Sequence, residues 1–489
     1  MKKDELKKAL EIVDNEIKKA GISRRDAFKL AGLGGAAFLA GGSEAQAATV
    51  AKASNAKGRI LIIGGGLGGM STAARLSNHL SDPDITIVEP NPNSVSYQPG
   101  TTLVAYGVYK STEDILYEAK DFLPKGVTLI KDSAVDFNPE ANKVTLASGD
   151  VLSYDYLIVA AGITLDFGAI KGLEEIGDAY SAGDASKILK VFGDSGITSV
   201  YNIYTAAEMW KQAQIFIEKA KSGEKLKSVF TSPATAYKCG GAPKKVMYLM
   251  NSRLNEAKAR ANVTMDLYDD GGKLFGVKEY ADAIEKQYIT RDMKWHFNHN
   301  LVGVDVANKT AIFNHHWEEQ GEYDKDLEEH EIIKKSQKVE VPFDFLHITP
   351  PQKAPDAIGK SAVGSDKGWV PVNKETLQHV KYKNIFSIGD VAAVPMGKTG
   401  GTIRKQYKVL VDNLISVMEG KEPTAKFDGY TVCPLITDIG KVMLAEFDWT
   451  AKPTPSVPLD PTQERWIWWI LKVYLLKPMT MYGMLSGRA

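Results

Sequence analysis

The stretch from Gly58 to Glu89 constrains the fold more than any other part of the chain. Ile60-Leu61-Ile62-Ile63 is a short apolar run of the kind that forms a parallel strand buried on both faces. It ends in Gly64-Gly65-Gly66-Leu67-Gly68-Gly69, which sets glycines in the G-x-G-x-x-G pattern at Gly64, Gly66 and Gly69. Met70 to Leu80 reads as a helix, and Ile85-Thr86-Ile87-Val88 as a second strand ending on Glu89, 20 positions beyond Gly69. Each part has a physical task. Gly64 permits a tight turn, Gly66 lets backbone approach a pyrophosphate, and Gly69 lets helix and strand pack closely. The helix N-terminus offers unsatisfied N–H groups to an anion, and Glu89 can accept from ribose hydroxyls. Taken together, strand, glycines, helix, strand and terminal acid imply a dinucleotide-binding unit of α/β type.

Two later segments say which dinucleotide. Tyr156-Leu157-Ile158-Val159-Ala160-Ala161-Gly162 reads as another buried strand, ending in small residues where backbone passes close to something flat. Asn384-Ile385-Phe386-Ser387-Ile388-Gly389-Asp390 reads as a strand ending in Gly-Asp. Following a first Rossmann unit in this order, they resemble the further fingerprints of flavoproteins with two dinucleotide-binding domains. That resemblance implies FAD, with Gly162, Gly389 and Asp390 at its site. In such proteins a second glycine triplet opens the middle domain and holds NAD(P)H. Here the corresponding strand, Leu226 to Thr231, runs into Ser232-Pro233-Ala234-Thr235-Ala236-Tyr237-Lys238-Cys239-Gly240-Gly241 and a helix from Val246. A proline-bearing loop with a cysteine stands where phosphate would be cradled, so the electron donor is expected not to be NAD(P)H.

Length and composition bound the rest. With 489 residues, the chain calls for two or three domains. Sixty basic residues balance 60 acidic ones, so no basic field points to nucleic acid. No uncharged apolar run reaches the roughly 20 residues of a membrane span. The two cysteines, Cys239 and Cys433, fit no zinc spacing. By themselves they are an inert disulfide, two small buried hydrophobes or a redox pair. At the N-terminus, Ser23-Arg24-Arg25 precedes a mildly apolar run from Leu30 to Ala40, and Ala45-Gln46-Ala47 follows. This resembles a twin-arginine leader, residues 1–47, and implies export of the folded protein to the periplasmic side of a bacterial cytoplasmic membrane.

Lys238-Cys239-Gly240-Gly241-Ala242-Pro243-Lys244-Lys245 resembles the cysteine segment of sulfide:quinone oxidoreductases. Further matches are Phe343 to Pro351, Gly389-Asp390, Lys398-Thr399, Lys405-Gln406 and Cys433-Pro434, so the likeness spans nearly all of residues 58 to 489. It implies two Rossmann-like domains and a membrane-docking C-terminal region. The expected boundaries are 58–170 with 341–425 for the FAD domain, 171–340 for the second, and 426–489 for the docking region. It further implies that sulfide is oxidised to zero-valent sulfur or polysulfide at Cys239 and Cys433, and that a membrane quinone is reduced. A third cysteine common in the family is absent, so FAD is expected to be non-covalent. Lys398, Thr399 and Lys405 are candidates for contact with flavin or quinone, Lys405 by offsetting charge on the reduced ring. His347 reads either as a satisfied core histidine or as a proton shuttle.

Glu464 to Lys477 is the most aromatic stretch and reads as a short amphipathic helix closed by Pro478. It would lie in a headgroup layer over a quinone entrance, with Trp466, Trp469, Lys472 and Tyr474 at the mouth. A core helix or a dimer contact is the other reading, which leaves a homo-oligomer open. Residues 314–338 read as a solvated hairpin or insertion, and its His315, His316 and His330 as polar loop residues or, less simply, metal ligands. The rival functions are a flavin subunit of a flavocytochrome c sulfide dehydrogenase, a type II NADH dehydrogenase-like enzyme and a non-catalytic sulfur-binding or redox-sensing flavoprotein.

Overall fold

The computed structural model describes residues 53–91, 95–324 and 328–489; residues 1–47, read above as resembling a twin-arginine leader, lie outside them. In chain order the principal elements begin with β1 (Arg59–Ile63), α1 (Leu67–His79), β2 (Asp84–Val88), β3 (Thr128–Ile130) and β4 (Tyr156–Val159). Next come β5 (Ile197–Thr198), α2 (Ile203–Lys221), β6 (Leu226–Ser232), α3 (Ala242–Glu256), β7 (Val263–Asp269), α4 (Lys278–Thr290) and β8 (Lys294–Phe297). Then follow β9 (His299–Asp305), β10 (Thr310–Asp324), β11 (Glu329–Pro342), β12 (Phe345–His347), β13 (Ile385–Ser387), α5 (Gly400–Met418), β14 (Thr431–Asp438) and β15 (Lys441–Phe447).

The chain divides into two compact units. The first comprises the described residues up to Leu103, with Ser111–Thr164 and Lys353–Ala489; the second comprises Val104–Lys110 and Leu165–Gln352. The first unit is built on a parallel sheet of order β13-β4-β1-β2-β3. Ile60, Leu61, Ile62 and Ile63 are all buried, and Leu157, Ile158 and Val159 beside them are fully so. Each such side chain contributes about 1.5–3 kcal/mol by leaving water, which is why these strands read as unbroken apolar runs. Helix α1 begins at Leu67 rather than Met70, so Gly68 and Gly69 are helical. An added Cβ on Gly69 would lie 1.9 Å from the Gly64 carbonyl oxygen, so only glycine lets the helix lie this close to the strand.

The second unit repeats the plan with a parallel sheet of order β5-β12-β6-β7-β8. An antiparallel sheet, β9-β10-β11, extends from it. Strands β10 and β11 form a long hairpin paired from Thr310↔Pro342 to Asp324↔Glu329, and most of β11 is exposed. The solvated hairpin is therefore present. Its histidines go to different partners. His316 Nε2 lies 3.0 Å from Asp270 Oδ1, His315 stacks on His299 at 4.2 Å, and His330 Nδ1 is 3.1 Å from the Gly321 oxygen. Among the described residues no group of three such side chains is placed to hold a metal ion.

The C-terminal helix corrects the reading of its end. Helical backbone runs Trp466–Ile470, Leu471–Leu475, Leu476–Pro478 and Met479–Met484, passing through Pro478. Proline lacks the N–H that an α-helical carbonyl four residues earlier needs. The turns on either side of Leu476–Pro478 widen to π geometry, in which a carbonyl is served by the residue five positions on. No described helix is long and apolar enough to cross a membrane.

Candidate active site

In the first unit, β1, β4 and β13 end level with one another. Ile63 is in register with Val159, and Val159 with Ser387. The glycine turn, Ala160-Ala161-Gly162 and Gly389-Asp390 therefore leave three adjacent strands at the same sheet edge. Here open parallel sheets bind ligands. Glu89, at the end of β2, accepts 2.8 Å hydrogen bonds from the amides of Gly65 and Asn91. Burial raises its proton affinity above the usual carboxylate value, and the two amides oppose this.

Whether a dinucleotide fits is visible in the glycines. Gly64 has φ +107, and an added Cβ would lie 2.5 Å from the Ala160 oxygen, so its space is filled by protein. Around Gly66 and Gly162 an added Cβ meets no heavy atom within 4 Å. No side chain caps the N-terminus of α1. The turn thus combines open space with uncapped helix amides, as a diphosphate requires.

Helix α5 brings the remaining candidates of this unit together. Its first residue lies beside the start of α1, an added Cβ on Gly400 being 3.5 Å from Leu67 Cδ2. Thr399 is its N-cap and accepts from the Thr402 amide at 3.2 Å. Gln406 on the same helix is buried and accepts from the Gly389 amide at 3.1 Å, tying α5 to the Gly-Asp turn. Lys398 donates to the Asp390 carbonyl at 2.5 Å and stands 3.8 Å over the Trp369 ring. Burial pulls its pKa down to about 8. Lys405 Nζ lies 5.4 Å from the Tyr430 ring centre. Buried Cys433 sits in β14, whose start packs on the first turn of α5. Thr402 Oγ1 is 3.3 Å from Thr431 Oγ1, and an added Cβ on Gly401 would overlap Val432.

Further along, Trp468 is buried while Trp466, Trp469 and Tyr474 are half-buried against Ile470 and Leu475. Lys472 is 1% exposed and donates to the Pro99 carbonyl at 2.9 Å. It anchors the helix inward, 5.9 Å from the Tyr97 ring centre.

The second unit holds Cys239 in the loop between β6 and α3. The cysteine is partly exposed and adopts φ +52, a left-handed conformation that costs a residue with a Cβ roughly 1–2 kcal/mol. Its carbonyl accepts from the Ala242 amide at 2.7 Å, turning the chain into α3, which has Pro243 in its first turn. The helix starts at Ala242, four residues before the expected Val246. Lys245 Nζ lies 3.2 Å from Cys239 Sγ. At the carboxyl end of β7, Asp269 receives Lys244 Nζ at 2.7 Å and Asp270 receives His316. Both acids at the place of a ribose-binding carboxylate are thus engaged by the chain's own donors. His347 is fully buried on β12, where its Nε2 accepts from the Val200 amide at 3.3 Å. Burial drives its pKa down to about 3, so the ring is a neutral core side chain at ordinary pH. Lys244, Lys245 and Gln406 were not singled out for a role by the sequence. The lysines' adjacency to Cys239 was the available signal.

Comparison with known proteins now decides the family. The Pyridine nucleotide-disulphide oxidoreductase family model matches residues 58–193. The mitochondrial sulfide:quinone oxidoreductase of Mus musculus is 36% identical over 429 residues, covering 88% of this chain and 86% of the relative. That of Dictyostelium discoideum is also 36% identical, with the same coverage of each chain. The chain belongs to the sulfide:quinone oxidoreductase family. Its members are flavin-dependent oxidoreductases. The fold agrees with the solved sulfide:quinone oxidoreductase of Aquifex aeolicus, at TM-score 0.69 and 22% identity, over 88% of this chain and 92% of that one.

Proposed function

We propose that this protein is an FAD-dependent sulfide:quinone oxidoreductase with Cys239 and Cys433 as its redox pair. Besides family membership, the observation that carries the reading is the β6–α3 loop. A cysteine with a lysine ammonium 3.2 Å from its sulfur stands where a nicotinamide-binding unit would place its glycines. The ammonium and the following helix N-terminus both stabilise negative charge on sulfur, the form in which cysteine reacts.

In the proposed sequence, hydrosulfide opens a Cys239–Cys433 disulfide, leaving Cys239 as a persulfide and Cys433 as a thiolate. A second sulfide or another thiolate takes the sulfane sulfur from Cys239. The two thiolates then close to the disulfide and release two electrons. FAD, when bound, supplies the two-electron couple that joins this oxidation to quinone reduction. In this reading Gly64, Gly66 and Gly69 with the α1 amides hold the diphosphate. Glu89 takes ribose hydroxyls, Gly162 and Gly389-Asp390 line the riboflavin part, and Thr399 fixes the start of α5 beside it. Lys398 and Lys405 supply positive charge. FAD is held without a covalent bond, since the third cysteine is absent from the sequence.

Trp466, Trp469 and Tyr474 suit a headgroup layer, with Lys472 holding their helix in place, and this supports peripheral docking on a membrane beside the quinone entrance. The Arg24-Arg25 leader supports export by the twin-arginine route. The type II NADH dehydrogenase reading is disfavoured by the engagement of Asp269 and Asp270. The test is anaerobic titration of the FAD-loaded protein with sulfide, then a soluble quinone. Sulfide should bleach the flavin and quinone restore it. If NADH bleaches the flavin and sulfide does not, the assignment fails.

A further inference from the structure

The residue beside the sulfur-contacting lysine is the less expected one. Lys244 is 2% exposed, and its ammonium joins three elements of the second unit. It donates to Asp269 Oδ2 on β7 at 2.7 Å and to Ser232 Oγ on β6 at 3.4 Å, and it interacts electrostatically with Tyr237 of the cysteine loop. Ser232 and Asp269 are register partners at the ends of their strands, so the lysine clamps the sheet edge from which the loop springs. An ammonium this deep is unfavourable unless fully engaged. Burial is the largest influence on it and lowers its proton affinity, yet Tyr237 and Asp269 together raise it above the ordinary lysine value.

The loop needs such a clamp. Cys239 is left-handed without being glycine, and the conformation persists only where surroundings impose it. On one side Lys238 is held by Gln352, whose Oε1 accepts from the Lys238 amide at 2.8 Å, and by a bond from Lys238 Nζ to Ser181. On the other side Tyr237, which interacts electrostatically with Lys244, donates its hydroxyl hydrogen to the Gly240 carbonyl at 3.3 Å. Cys239 lies between these two attachments.

We propose that Lys244, paired with Asp269, is a positioning residue for Cys239. Through Tyr237 it holds the 237–240 segment in the left-handed turn that presents Cys239 Sγ to Lys245. The inference rests on the reading of Cys239 as the reacting thiol. The experiment uses full-length, FAD-loaded protein after thiol reduction. It reads iodoacetamide labelling at Cys239 by peptide mass spectrometry as a function of pH, alongside sulfide and quinone kinetics.

Two variants are needed. Tyr237→Phe removes the hydroxyl and leaves the ion pair intact. Lys244→Met combined with Asp269→Leu removes both buried charges while keeping apolar volume, a change that buried pairs often tolerate. Both should raise the pH at which Cys239 labelling is half-maximal. Both should also slow sulfide-dependent flavin reduction between about 10- and 100-fold, with KM for quinone unchanged. A lysine that served stability alone would alter the melting temperature and leave the labelling profile where it was. Parental profile and rate in Tyr237→Phe overturn the proposal, whether or not the double variant folds. If sulfide fails to reduce the parent's flavin, the functional reading falls instead, and the labelling profiles still decide whether Lys244 positions the cysteine.

Discussion

Replacing each motif glycine by alanine should separate glycines that serve the fold from the one that serves the cofactor. At Gly66 the backbone has φ −74 and ψ −164, which alanine adopts freely, and an added Cβ meets nothing within 4 Å. Without cofactor, Gly66→Ala should therefore fold as well as the parent, or gain about 0.4–1 kcal/mol from a less flexible unfolded chain. Gly64→Ala places a Cβ at φ +107, costing about 1–2 kcal/mol in conformation alone, and sets it 2.5 Å from a backbone oxygen. Gly69→Ala must push helix from strand to relieve a 1.9 Å overlap, on the order of 1–3 kcal/mol or more. For binding the order reverses. If the Gly66 methyl displaces the diphosphate from one backbone N–H, the loss of about 1.5–3 kcal/mol weakens FAD about 10- to 150-fold. The assays are thermal midpoints of the three apoproteins and FAD titration followed by fluorescence quenching. Parental FAD affinity in Gly66→Ala would refute the placement of the diphosphate. An apoprotein of that variant melting well below the parent would refute the open space.

Cys239→Ala and Cys433→Ala should each abolish sulfide-to-quinone turnover while FAD content stays at the parent's level; turnover surviving in either removes the redox pair. Lys398, with a pKa of about 8, binds fewer protons folded than unfolded between about 8 and the ordinary lysine value. Its contribution to the apoprotein's stability should thus rise with pH across that window, and Lys398→Gln should remove that slope in pH-dependent denaturation. His347 has the same sign at lower pH. Its neutral form contributes fully above about 6.5, and the contribution falls by about 1.4 kcal/mol per pH unit toward about 3. His347→Gln, which keeps an acceptor for the Val200 amide, should flatten the acid limb of the stability curve. Trp466→Ser with Trp469→Ser should lower co-sedimentation with phospholipid vesicles while leaving activity toward a water-soluble quinone intact; unchanged co-sedimentation sinks the docking helix.

Those elements were legible whose physics is local. Ile60–Ile63 and Tyr156–Val159 are buried on both faces, so their sequences are continuous apolar runs, and glycine spacing marks the turn between strand and helix. The start of α1 was placed late because Gly68 and Gly69 are poor helix formers that close packing nevertheless holds in helix. Charged residues whose role depends on tertiary contacts were misjudged or missed. Lys472 reads as a headgroup lysine, but its ammonium is spent on the Pro99 carbonyl 373 positions away. Lys244 was given no role of its own, because the acid that pairs with it lies 25 positions on, at the end of the next strand. Pro478 reads as a helix end, and only the backbone shows the π turns that let it stay inside.

The two Rossmann units share one topology and differ in what meets the ends of their strands. In each, a strand, a turn, a helix and a second strand end in an acidic side chain, Glu89 in the first and Asp269-Asp270 in the second. Among the described residues of the first unit the acid accepts from two backbone amides, the helix has no side-chain cap, and the space over Gly66 is open. Open space and helix amides without a side-chain cap favour an anionic ligand there. In the second the equivalent acids are already engaged, Asp269 by the Lys244 ammonium and Asp270 by a 3.0 Å contact with His316 Nε2. A nicotinamide dinucleotide would have to displace an internal ammonium 3% exposed at its side chain, leaving buried charge unpaired. Restoring a glycine triplet in the 233–241 loop alone should therefore not create an NADH site. Binding should emerge only when Lys244 is also replaced by a small neutral residue. Isothermal titration with NADH distinguishes these cases, and binding by the glycine-restored protein that still carries Lys244 would show that the loop sequence, not the ion pair, keeps the dinucleotide out.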